Sequence, residues 1–304
     1  MDEAKIPLLV IAGPTASGKT SLSIEIALAL DGEVVSADSM QVYLGLDIAT
    51  AKPSLEEMRG VSHHLLGIVE PNARFSVAQY APLAHAAIRD VCTRGKLPIL
   101  CGGTGLYVQA VTENLMLTEG EITQNNAGTW QELQSIDPSY AAKIHPNDQK
   151  RVSHALALYR ATGVTLTQQN QRSRQTPSPY DARIIFLGAR ERQYLYDRID
   201  RRVDQMLAMG LLEEAKHWRQ AASATAAQAI GYKELEPYFL GQCTLEEAVE
   251  RLKRETRRYA KRQLSWFRRM AREWNERTPG SCVELFIEDK NLLEHAMEYA
   301  RRMP

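Results

Sequence analysis

The stretch GPTASGKT, residues 13–20, decides the fold of this chain, because it matches the pattern GxxxxGK followed by Ser or Thr in full. It follows a short apolar run at residues 7–12, which predicts a buried strand. It precedes residues 21–30, whose apolar side chains have helical spacing. A strand, a glycine-rich loop and a helix in this order predict a phosphate-binding loop at the edge of an α/β sheet.

This loop suits a diphosphate or a triphosphate and does not by itself say which. Its glycines allow successive backbone N–H groups to turn toward a phosphate, and the following helix N-terminus adds a favourable dipole. Lys19 adds a positive charge, and the Thr20 hydroxyl is a suitable Mg²⁺ ligand. We predict that the diphosphate is bound by Gly13, Thr15, Ala16, Ser17, Gly18, Lys19 and Thr20, with Thr20 as the metal ligand.

Residues 1–112 continue the alternation of strand-like and helix-like segments. Further strands are predicted at 33–36, 64–69 and 97–101, and a helix at 77–94. Such alternation is typical of a parallel sheet covered by helices. We therefore predict an α/β fold, a P-loop NTPase-like parallel sheet flanked by helices, with its first part in these residues.

A change in composition predicts an inserted helical subdomain at residues 113–180. This segment is rich in Gln, Asn, Thr and Ser, and has helical patches at 129–135 and 148–162. The strand-like run RIIFLG, residues 183–188, then resumes the sheet. We predict that residues 181–304 return to the core and are mainly helical. Their predicted elements are helices at 193–209, 211–219, 244–275 and 292–302, with a last strand at 283–287.

The composition is that of an ordinary globular protein. The chain has 304 residues, of which 44% are hydrophobic and 24% charged, and its 37 Lys and Arg balance its 37 Asp and Glu. The zero net charge excludes a bulk polycation but permits a local basic surface. No apolar run approaches the roughly 18 residues that a membrane span requires. The N-terminus does not resemble a signal peptide, so we expect a cytoplasmic protein with reduced cysteines and no zinc site.

The acidic Mg²⁺ ligand of ATP- and GTP-hydrolysing proteins is not in its usual place. That ligand comes at the end of an apolar strand, whereas strand 97–101 is followed by Gly102 and Gly103. The remaining candidate is Asp38, shortly after strand 33–36. The carboxyl ends of parallel strands line the ligand crevice, so Asp38 is expected near the phosphate loop. A helix cap or a solvated turn is the alternative role.

The segment GGTGLY, residues 102–107, follows the strand at 97–101 at the same edge of the predicted sheet. Its two leading glycines permit close approach of the backbone, and Thr104 offers a hydroxyl. A tight strand–helix turn is the alternative interpretation. The pair His63-His64 lacks the spacing to Asp, Glu or Cys of a metal site, which favours structural roles.

Seven blocks along the chain carry a resemblance to one family. They are GPTASGKT (13–20), SADSMQVYLGLDIATAKPS (36–54), FSVAQY (75–80), GGTGLY (102–107), RIDRRVDQMLAMGLLEE (198–214), AIGYKEL (229–235) and TRRYAKRQLSWFRR (256–269). In this order they resemble the tRNA dimethylallyltransferases, also called tRNA isopentenyltransferases, over nearly the whole chain. Residues 115–133 lack the Pro-rich, Arg-containing entry to the insertion of that family, so no Arg is assigned there. Without a zinc-finger tail, the chain looks like the short bacterial form.

The resemblance implies transfer of a dimethylallyl group from dimethylallyl diphosphate to the exocyclic amine of the adenine just 3′ of a tRNA anticodon. Lys19, with Thr20 and Mg²⁺, would neutralise charge on the leaving diphosphate. Asp38 would accept the proton of the amine, and Thr104 would lie near the bridging oxygen of the diphosphate. The family further implies that Arg198 and Arg202 lie at the diphosphate, and a solvated helix face is their alternative role.

The resemblance also implies an anticodon stem-loop as partner and an adenine that is flipped out of its stack. The segment after the second strand would receive that base. The residues implied to contact tRNA at the reaction centre are Asp38, Ser39, Met40, Gln41 and Thr104. A second contact is implied on the insertion, at Gln149, Lys150 and Arg151.

The segment from Arg251 to Arg272 is strongly basic, with ten Lys or Arg and one acid, Glu255. On a helical wheel six of these basic residues share an arc of roughly 100°, opposite Leu252, Tyr259, Trp266 and Met270; they are Arg254, Arg258, Lys261, Arg262, Arg269 and Arg272. Charged helix faces are often only solvated, but this bias in a neutral chain beside a phosphate loop favours binding of RNA phosphates. The predicted tRNA contacts on this helix are Arg254, Arg258, Arg262 and Arg269.

Three other functions remain open at this point. A small-molecule P-loop kinase would transfer phosphoryl groups with no RNA present. An adenylate isopentenyltransferase would share the chemistry but alkylate free nucleotides, and the basic helix and insertion argue for a larger acceptor. A non-catalytic RNA-binding module would leave the phosphate loop and Asp38 without a role. We expect a monomer that does not bind membranes.

Overall fold

The structure, a computed structural model, describes residues 5–115, 117, 128–219, 223 and 225–303. In this part of the chain one sheet has the strands β1 (Ile6–Ala12), β2 (Gly32–Ser36), β3 (His63–His64), β4 (Leu97–Gly102), β5 (Tyr180–Gly188) and β6 (Cys282–Phe286). Their order is β3-β2-β4-β1-β5-β6, and every pairing is parallel. The predicted α/β fold is confirmed.

The helices of the described residues cover this sheet and extend beyond it. Before the insertion they are α1 (Lys19–Ala29), α2 (Leu55–Met58), α3 (Val77–Thr93) and α4 (Gly105–Thr112). In the insertion they are α5 (Trp130–Ile136), α6 (Pro138–Ala141), α7 (Gln149–Thr162) and α8 (Leu166–Gln175). After β5 they are α9 (Arg192–Ala208), α10 (Leu211–Trp218), α11 (Tyr232–Phe239), α12 (Leu245–Arg277) and α13 (Leu292–Ala300).

The centre of the sheet is strand β1, which ends at the phosphate loop. Its residues from Leu8 to Ala12 are fully buried, because helices cover both faces of the sheet. The strand pairs with β4 on one side and with β5 on the other. Since the strands are parallel, the segments that follow β1, β2 and β4 come together at one edge, as in other open α/β sheets.

The strand predicted at 64–69 is wrong in its extent. Only His63 and His64 pair with β2, and Val69 forms an isolated bridge with Tyr43. Between them Leu65 and Gly67 have φ angles of 64° and 57°, in the left-handed region. Extended backbone cannot pass through these conformations, so the strand ends after two residues.

The insertion forms helices around a small hydrophobic cluster of its own. The predicted patches at 129–135 and 148–162 correspond to α5 and α7, whereas α6 and α8 were not predicted. Leu133, Val152 and Leu156 are buried in this cluster. Much of the segment 115–133, whose sequence departs from the family pattern, lies outside the described residues. The proposed domain limits at 112 and 180 remain predictions.

Helix α12 is the longest helix of the described residues, and one of its faces packs on the core of the sheet. Its Thr244 cap accepts from the Glu247 N–H, and the Glu247 side chain accepts in return from the Thr244 N–H. Phe267 and Met270 on one face are buried in the core of the sheet. The opposite face is exposed, so one side of this helix packs on the core while the other side faces solvent.

Candidate active site

The phosphate loop leaves β1 at Ala12 and enters α1 at Lys19, as predicted. The Lys19 ammonium lies inside the loop, where its Nζ donates to the Pro14 carbonyl at 3.3 Å. Burial lowers the pKa of Lys19, while the neighbouring Asp38 carboxylate opposes that change. A half-buried cation at a glycine-rich loop is suited to an anionic ligand.

The Ser17 hydroxyl is a second polar group of this loop. Its residue is 2% exposed, and its Oγ has no hydrogen-bond partner within the described part of the chain. Buried hydroxyls are almost always partnered in native proteins, so this group is an exception, and its contact with the diphosphate remains a prediction. The backbone N–H of Thr15, by contrast, donates to the Gln263 side chain at 2.9 Å.

Two arginines of helix α9 lie next to the phosphate loop. Arg198 donates through Nε to the Ala16 carbonyl at 2.7 Å. Burial lowers the pKa of Arg202, and the nearby Asp38 carboxylate acts in the opposite direction. Both line a cavity of about 570 Å³ together with Lys19 and Thr20. A merely solvated face is therefore the wrong description of this part of α9.

The same cavity has an apolar wall beside its cations. That wall includes Ile24 from α1, Ile48 from the loop after β2, and Met206 and Met209 at the end of α9. A pocket that is lined by both cationic and aliphatic side chains suits an amphiphilic anion. Ile48, Met206 and Met209 lie within the blocks 36–54 and 198–214, but the sequence analysis assigned no role to them.

Asp38 lies at the carboxyl end of β2, next to the phosphate loop. Its Oδ1 accepts from the backbone N–H groups of Met40 at 2.9 Å and Gln41 at 3.4 Å. It lines a small cavity of about 20 Å³ together with Lys19 and Thr20, which also line the larger cavity. The turn that Asp38 caps thus holds the carboxylate at the phosphate loop.

Thr104 joins the loop after β4 to the loop after β2. Its Oγ1 accepts from the Ser39 N–H at 3.0 Å and lies 3.2 Å from Ser39 Oγ, to which it donates. The two loops can approach because residue 102 is glycine: a Cβ there would lie 2.1 Å from the Ala37 carbonyl oxygen. The structure therefore brings together Asp38, Ser39 and Thr104, as the sequence predicted for strand ends at one edge.

Gln41 has an internal role in the structure. Its Nε2 donates to the carbonyls of Thr50 and Ala51, both at 3.2 Å, and its Oε1 accepts from the Ser36 hydroxyl. Met40 is half-buried beside it. Gln41 thus ties the Asp38 turn to the loop that lines the large cavity, and its contact with tRNA remains a prediction.

The loop at residues 45–52 is held in place by helix α10. The Glu214 carboxylate accepts from the N–H groups of Asp47, Ile48 and Ala49, at 2.7 to 2.9 Å. Trp218 donates to the Gly45 carbonyl at 2.9 Å. These supporting residues lie within or just after the block 198–214, but only the folded chain shows what they hold.

The basic face of α12 consists of exposed residues, as the helical wheel predicts. We define it by Arg254, Arg258, Lys261, Arg262, Arg269 and Arg272. Arg258 pairs with Glu255 at 2.7 Å, whereas Arg262 and Arg269 lie over the rings of Tyr259 and Trp266. Guanidinium groups on aromatic rings keep their charge and hydrogen-bond donors available for phosphates.

Gln149, Lys150 and Arg151 occupy the first turn of α7 in the insertion. All three are exposed, and Arg151 pairs with Asp148 at 2.9 Å. Asp148 also caps the helix by accepting from the Arg151 N–H. The structure does not join them to the reaction centre, and their binding of tRNA remains a prediction.

No group of three or more His, Cys, Asp or Glu is placed to hold a metal ion in the described part of the chain. No helix among the described residues is long and apolar enough to cross a membrane.

The parallel sheet, the complete phosphate loop and the strand-end carboxylate define a P-loop α/β protein. Comparisons with known proteins narrow this class. The IPP transferase family matches residues 41–270, and the isopentenyl transferase family matches residues 6–67. The chain belongs to the tRNA dimethylallyltransferase family, whose members are prenyl-transferring enzymes. The resemblance of the seven blocks is thereby confirmed.

Relatives match this chain over nearly its whole length. A tRNA dimethylallyltransferase of Halalkalibacterium halodurans is 46% identical, over 97% of this chain and 98% of the relative. A crystal structure of a full-length tRNA isopentenylpyrophosphate transferase from Bacillus halodurans has a TM-score of 0.70 and 42% identity, covering 98% of this chain and 99% of that one. A eukaryotic dimethylallyltransferase acting on tRNA has a TM-score of 0.79 and 32% identity, covering 93% and 74%.

Proposed function

We propose that this chain transfers the dimethylallyl group of dimethylallyl diphosphate to the exocyclic amine of the adenine 3′-adjacent to a tRNA anticodon, with release of diphosphate. The observation that carries the proposal is that two cavities have lining residues in common. Lys19 and Thr20 line both the large cationic cavity and the small cavity that contains Asp38. A diphosphate in the large cavity can therefore leave from one side of the reacting carbon. The amine that attacks from the other side can lose its proton to Asp38 in the small cavity.

The large cavity suits the donor in both charge and shape. Lys19, Arg198 and Arg202 would bind the diphosphate, since their charges surround the phosphate loop. Ile48 and Met206 would contact the five-carbon group, because they form the aliphatic wall of the same cavity. Burial strengthens these charge interactions by excluding water from the leaving group.

The chemistry is a substitution at the first carbon of the dimethylallyl group. The adenine nitrogen forms a bond to that carbon while the bond to the bridging oxygen breaks, and the diphosphate leaves with the electron pair. Asp38 accepts the proton that the amine loses, as a positioned carboxylate can. Thr104, held by Ser39, lies beside Asp38 and would donate to the bridging oxygen once the donor is bound. Lys19 stabilises the charge that develops on the diphosphate.

The residues present fit a Mg²⁺ ion bound mainly by the substrate. Thr20 supplies a hydroxyl where it lines both cavities, and no carboxylate cluster competes for the ion among the described residues. Mg²⁺ commonly keeps one or two protein ligands, several waters and substrate phosphates. When bound, the ion would neutralise part of the diphosphate charge.

The acceptor is assigned from the position of the basic face. Helix α12 carries this face on its exposed side and contacts the loop after β4 with its buried side, through Gln263. A tRNA bound through its phosphates to α12 would therefore have its anticodon loop near Asp38. We assign the reaction to the cytoplasm and to one copy of the chain, as expected from the sequence.

The test uses labelled dimethylallyl diphosphate with tRNA, with AMP, or with neither. We expect label in tRNA, and none in an otherwise identical tRNA that carries guanine 3′ of its anticodon. Label in AMP would instead identify an enzyme of free nucleotides. ATP turnover without RNA, and no label in any acceptor, would identify a kinase. RNA binding without transfer would leave only a binding module.

A further inference from the structure

We infer that Gln263 is a positioning residue, which fixes the phosphate loop and the loop after β4 relative to each other and to the basic face of α12. The inference rests on the proposed function, because the loops that it aligns are those assigned to the donor and to Asp38. Nothing in the residue's chemistry requires it to touch a substrate.

The Gln263 amide uses both of its ends in the buried interior. The residue is 6% exposed, its Oε1 accepts from the Thr15 N–H at 2.9 Å, and its Nε2 donates to the Gly103 carbonyl at 2.8 Å. A Cβ on residue 103 would lie 2.4 Å from Nε2, so the helix and the loop are in close contact. One side chain of α12 thus bridges two active-site loops.

The bridge continues to the proposed base. Gly103 precedes Thr104, whose hydroxyl is hydrogen-bonded to both the N–H and the Oγ of Ser39. Ser39 in turn follows Asp38 in the chain. A shift of Gly103 would therefore displace Thr104 and, through Ser39, the Asp38 turn, while a shift of Thr15 would displace the phosphate loop.

The same helix presents its basic face to solvent on the opposite side. Arg262 is the sequence neighbour of Gln263 and is exposed. When tRNA phosphates bind that face, Gln263 sets the distance between the bound RNA and the reacting groups. Loss of this alignment should lower kcat strongly and leave the tRNA affinity nearly unchanged, since small misplacements of reacting groups can cost about 10²-fold in rate.

The first variant is Gln263→Met, which keeps the size of the side chain and removes both hydrogen bonds. We expect kcat for tRNA to fall roughly 10- to 100-fold, with tRNA affinity and its salt dependence close to those of the unmodified chain. The matched control is Gln109→Met on α4, where the Gln109 amide donates to Glu113 at 2.9 Å. The control should keep its kcat within about twofold.

The second variant, Gln263→Glu, has a signature that a purely structural role would not produce. A protonated Glu can donate to the Gly103 carbonyl and accept from the Thr15 N–H, as Gln does, whereas the ionised form cannot donate. Burial favours the neutral form. We therefore expect the kcat of this variant, relative to the unmodified chain, to rise at least about tenfold from pH 8.5 to pH 6. The ratio for Gln263→Met should stay flat.

Hydrogen–deuterium exchange separates this inference from the proposed function, because it needs no substrate. The peptide containing Thr15 should exchange faster in Gln263→Met than in the Gln109→Met control, and an equal rate would overturn the inference even if both proteins transfer the dimethylallyl group. So would an unchanged kcat, or a loss of kcat matched by an equal loss of tRNA affinity. Absence of transfer by the unmodified chain would instead refute the proposed function, and the exchange result would still decide whether Gln263 holds the loop.

Discussion

The reaction centre and the basic face of α12 differ in how their charges are held. In the reaction centre Lys19 is half-buried, and Asp38 and Thr104 are fixed by hydrogen bonds of 2.9 to 3.4 Å to neighbouring backbone and side-chain groups. On the basic face the arginines are exposed and rest on rings or share the carboxylate of Glu255. Bond-making chemistry depends on geometry, whereas phosphate binding depends mainly on the amount of charge.

This difference predicts two patterns of response to mutation. A single change in the reaction centre should remove most of the rate, because its groups act as one unit. A single change on the basic face should remove one contact among several, and such losses should add. The predictions below test this contrast, from the largest expected effect to the smallest.

Lys19→Ala should have the largest effect, a loss of transfer of about 10³-fold, because it removes a half-buried charge that stabilises the leaving diphosphate. Single-turnover transfer of labelled dimethylallyl to tRNA measures it. Lys290→Ala, a change of the same kind at an exposed lysine outside the site, is the control. A circular dichroism spectrum that shows unfolded protein, or full activity, would argue against this role.

Asp38→Asn should slow transfer by about 10²-fold, the usual scale for a lost general base, and leave tRNA affinity nearly unchanged. The side-chain oxygen that caps the Met40 N–H is retained in Asn, so the turn should persist. The measurement is kcat beside the dissociation constant for tRNA. If affinity fell as much as the rate, Asp38 would be a recognition residue and the contrast between the two regions would weaken.

The sequence predicted most of the fold and the centre of the site because local patterns determine them. The phosphate loop at residues 13–20 carries its own strand and helix signals, and strand order at one sheet edge places Asp38 beside it. The strand at 64–69 was predicted too long, since left-handed φ angles at Leu65 and Gly67 leave no trace in hydrophobic periodicity. Helices α6 and α8 are short or polar, which also weakens periodicity.

The supporting contacts of the site could not be predicted from the sequence. Gln263 lies 248 residues from Thr15, and Glu214 lies 165 to 167 residues from the loop that it holds. Such pairings depend on which helix packs over which loop, and no local pattern encodes that. Gln263 lies on the basic helix α12, directly after Lys261 and Arg262. The charge of this segment predicted RNA binding and gave no sign that one uncharged residue holds the phosphate loop.

The double variant Arg258→Gln and Arg262→Gln should have a smaller and graded effect. Each lost phosphate contact should reduce the slope of log affinity against log salt by about 0.7 to 0.9, to a similar extent for different tRNAs. Donor affinity should be unchanged. The control pair is Arg301→Gln and Arg302→Gln, exposed arginines after α13. An unchanged slope would identify the basic face as a merely solvated surface and leave the insertion as the main RNA contact.

The smallest effect on activity is expected at the amino end of the strand that leads to Asp38. Glu33, 2% exposed, accepts from Arg94 at 2.8 Å and lies 2.7 Å from His64 Nε2. The Arg94 guanidinium, helped by His64 and Lys96 and opposed by burial, lowers the pKa of Glu33 to about 2. Glu33→Gln should therefore change stability and leave kcat for tRNA within about twofold at 25 °C.

The pH dependence of that stability has a definite sign. A carboxyl group with an ordinary pKa of 4.5 when unfolded and about 2 when folded stabilises the fold above pH 4.5, and this contribution is lost as the pH falls toward 2. Glu33→Gln should lower the free energy of unfolding at pH 7 by roughly 2 to 4 kcal/mol. The difference from the unmodified chain should shrink at pH 3.5, as measured by urea unfolding. Asp90→Asn, which removes the exposed carboxylate beside Arg94, should cost about 1 kcal/mol or less. A constant difference between pH 7 and pH 3.5 would mean that packing, and not the charge of Glu33, holds this end of the sheet.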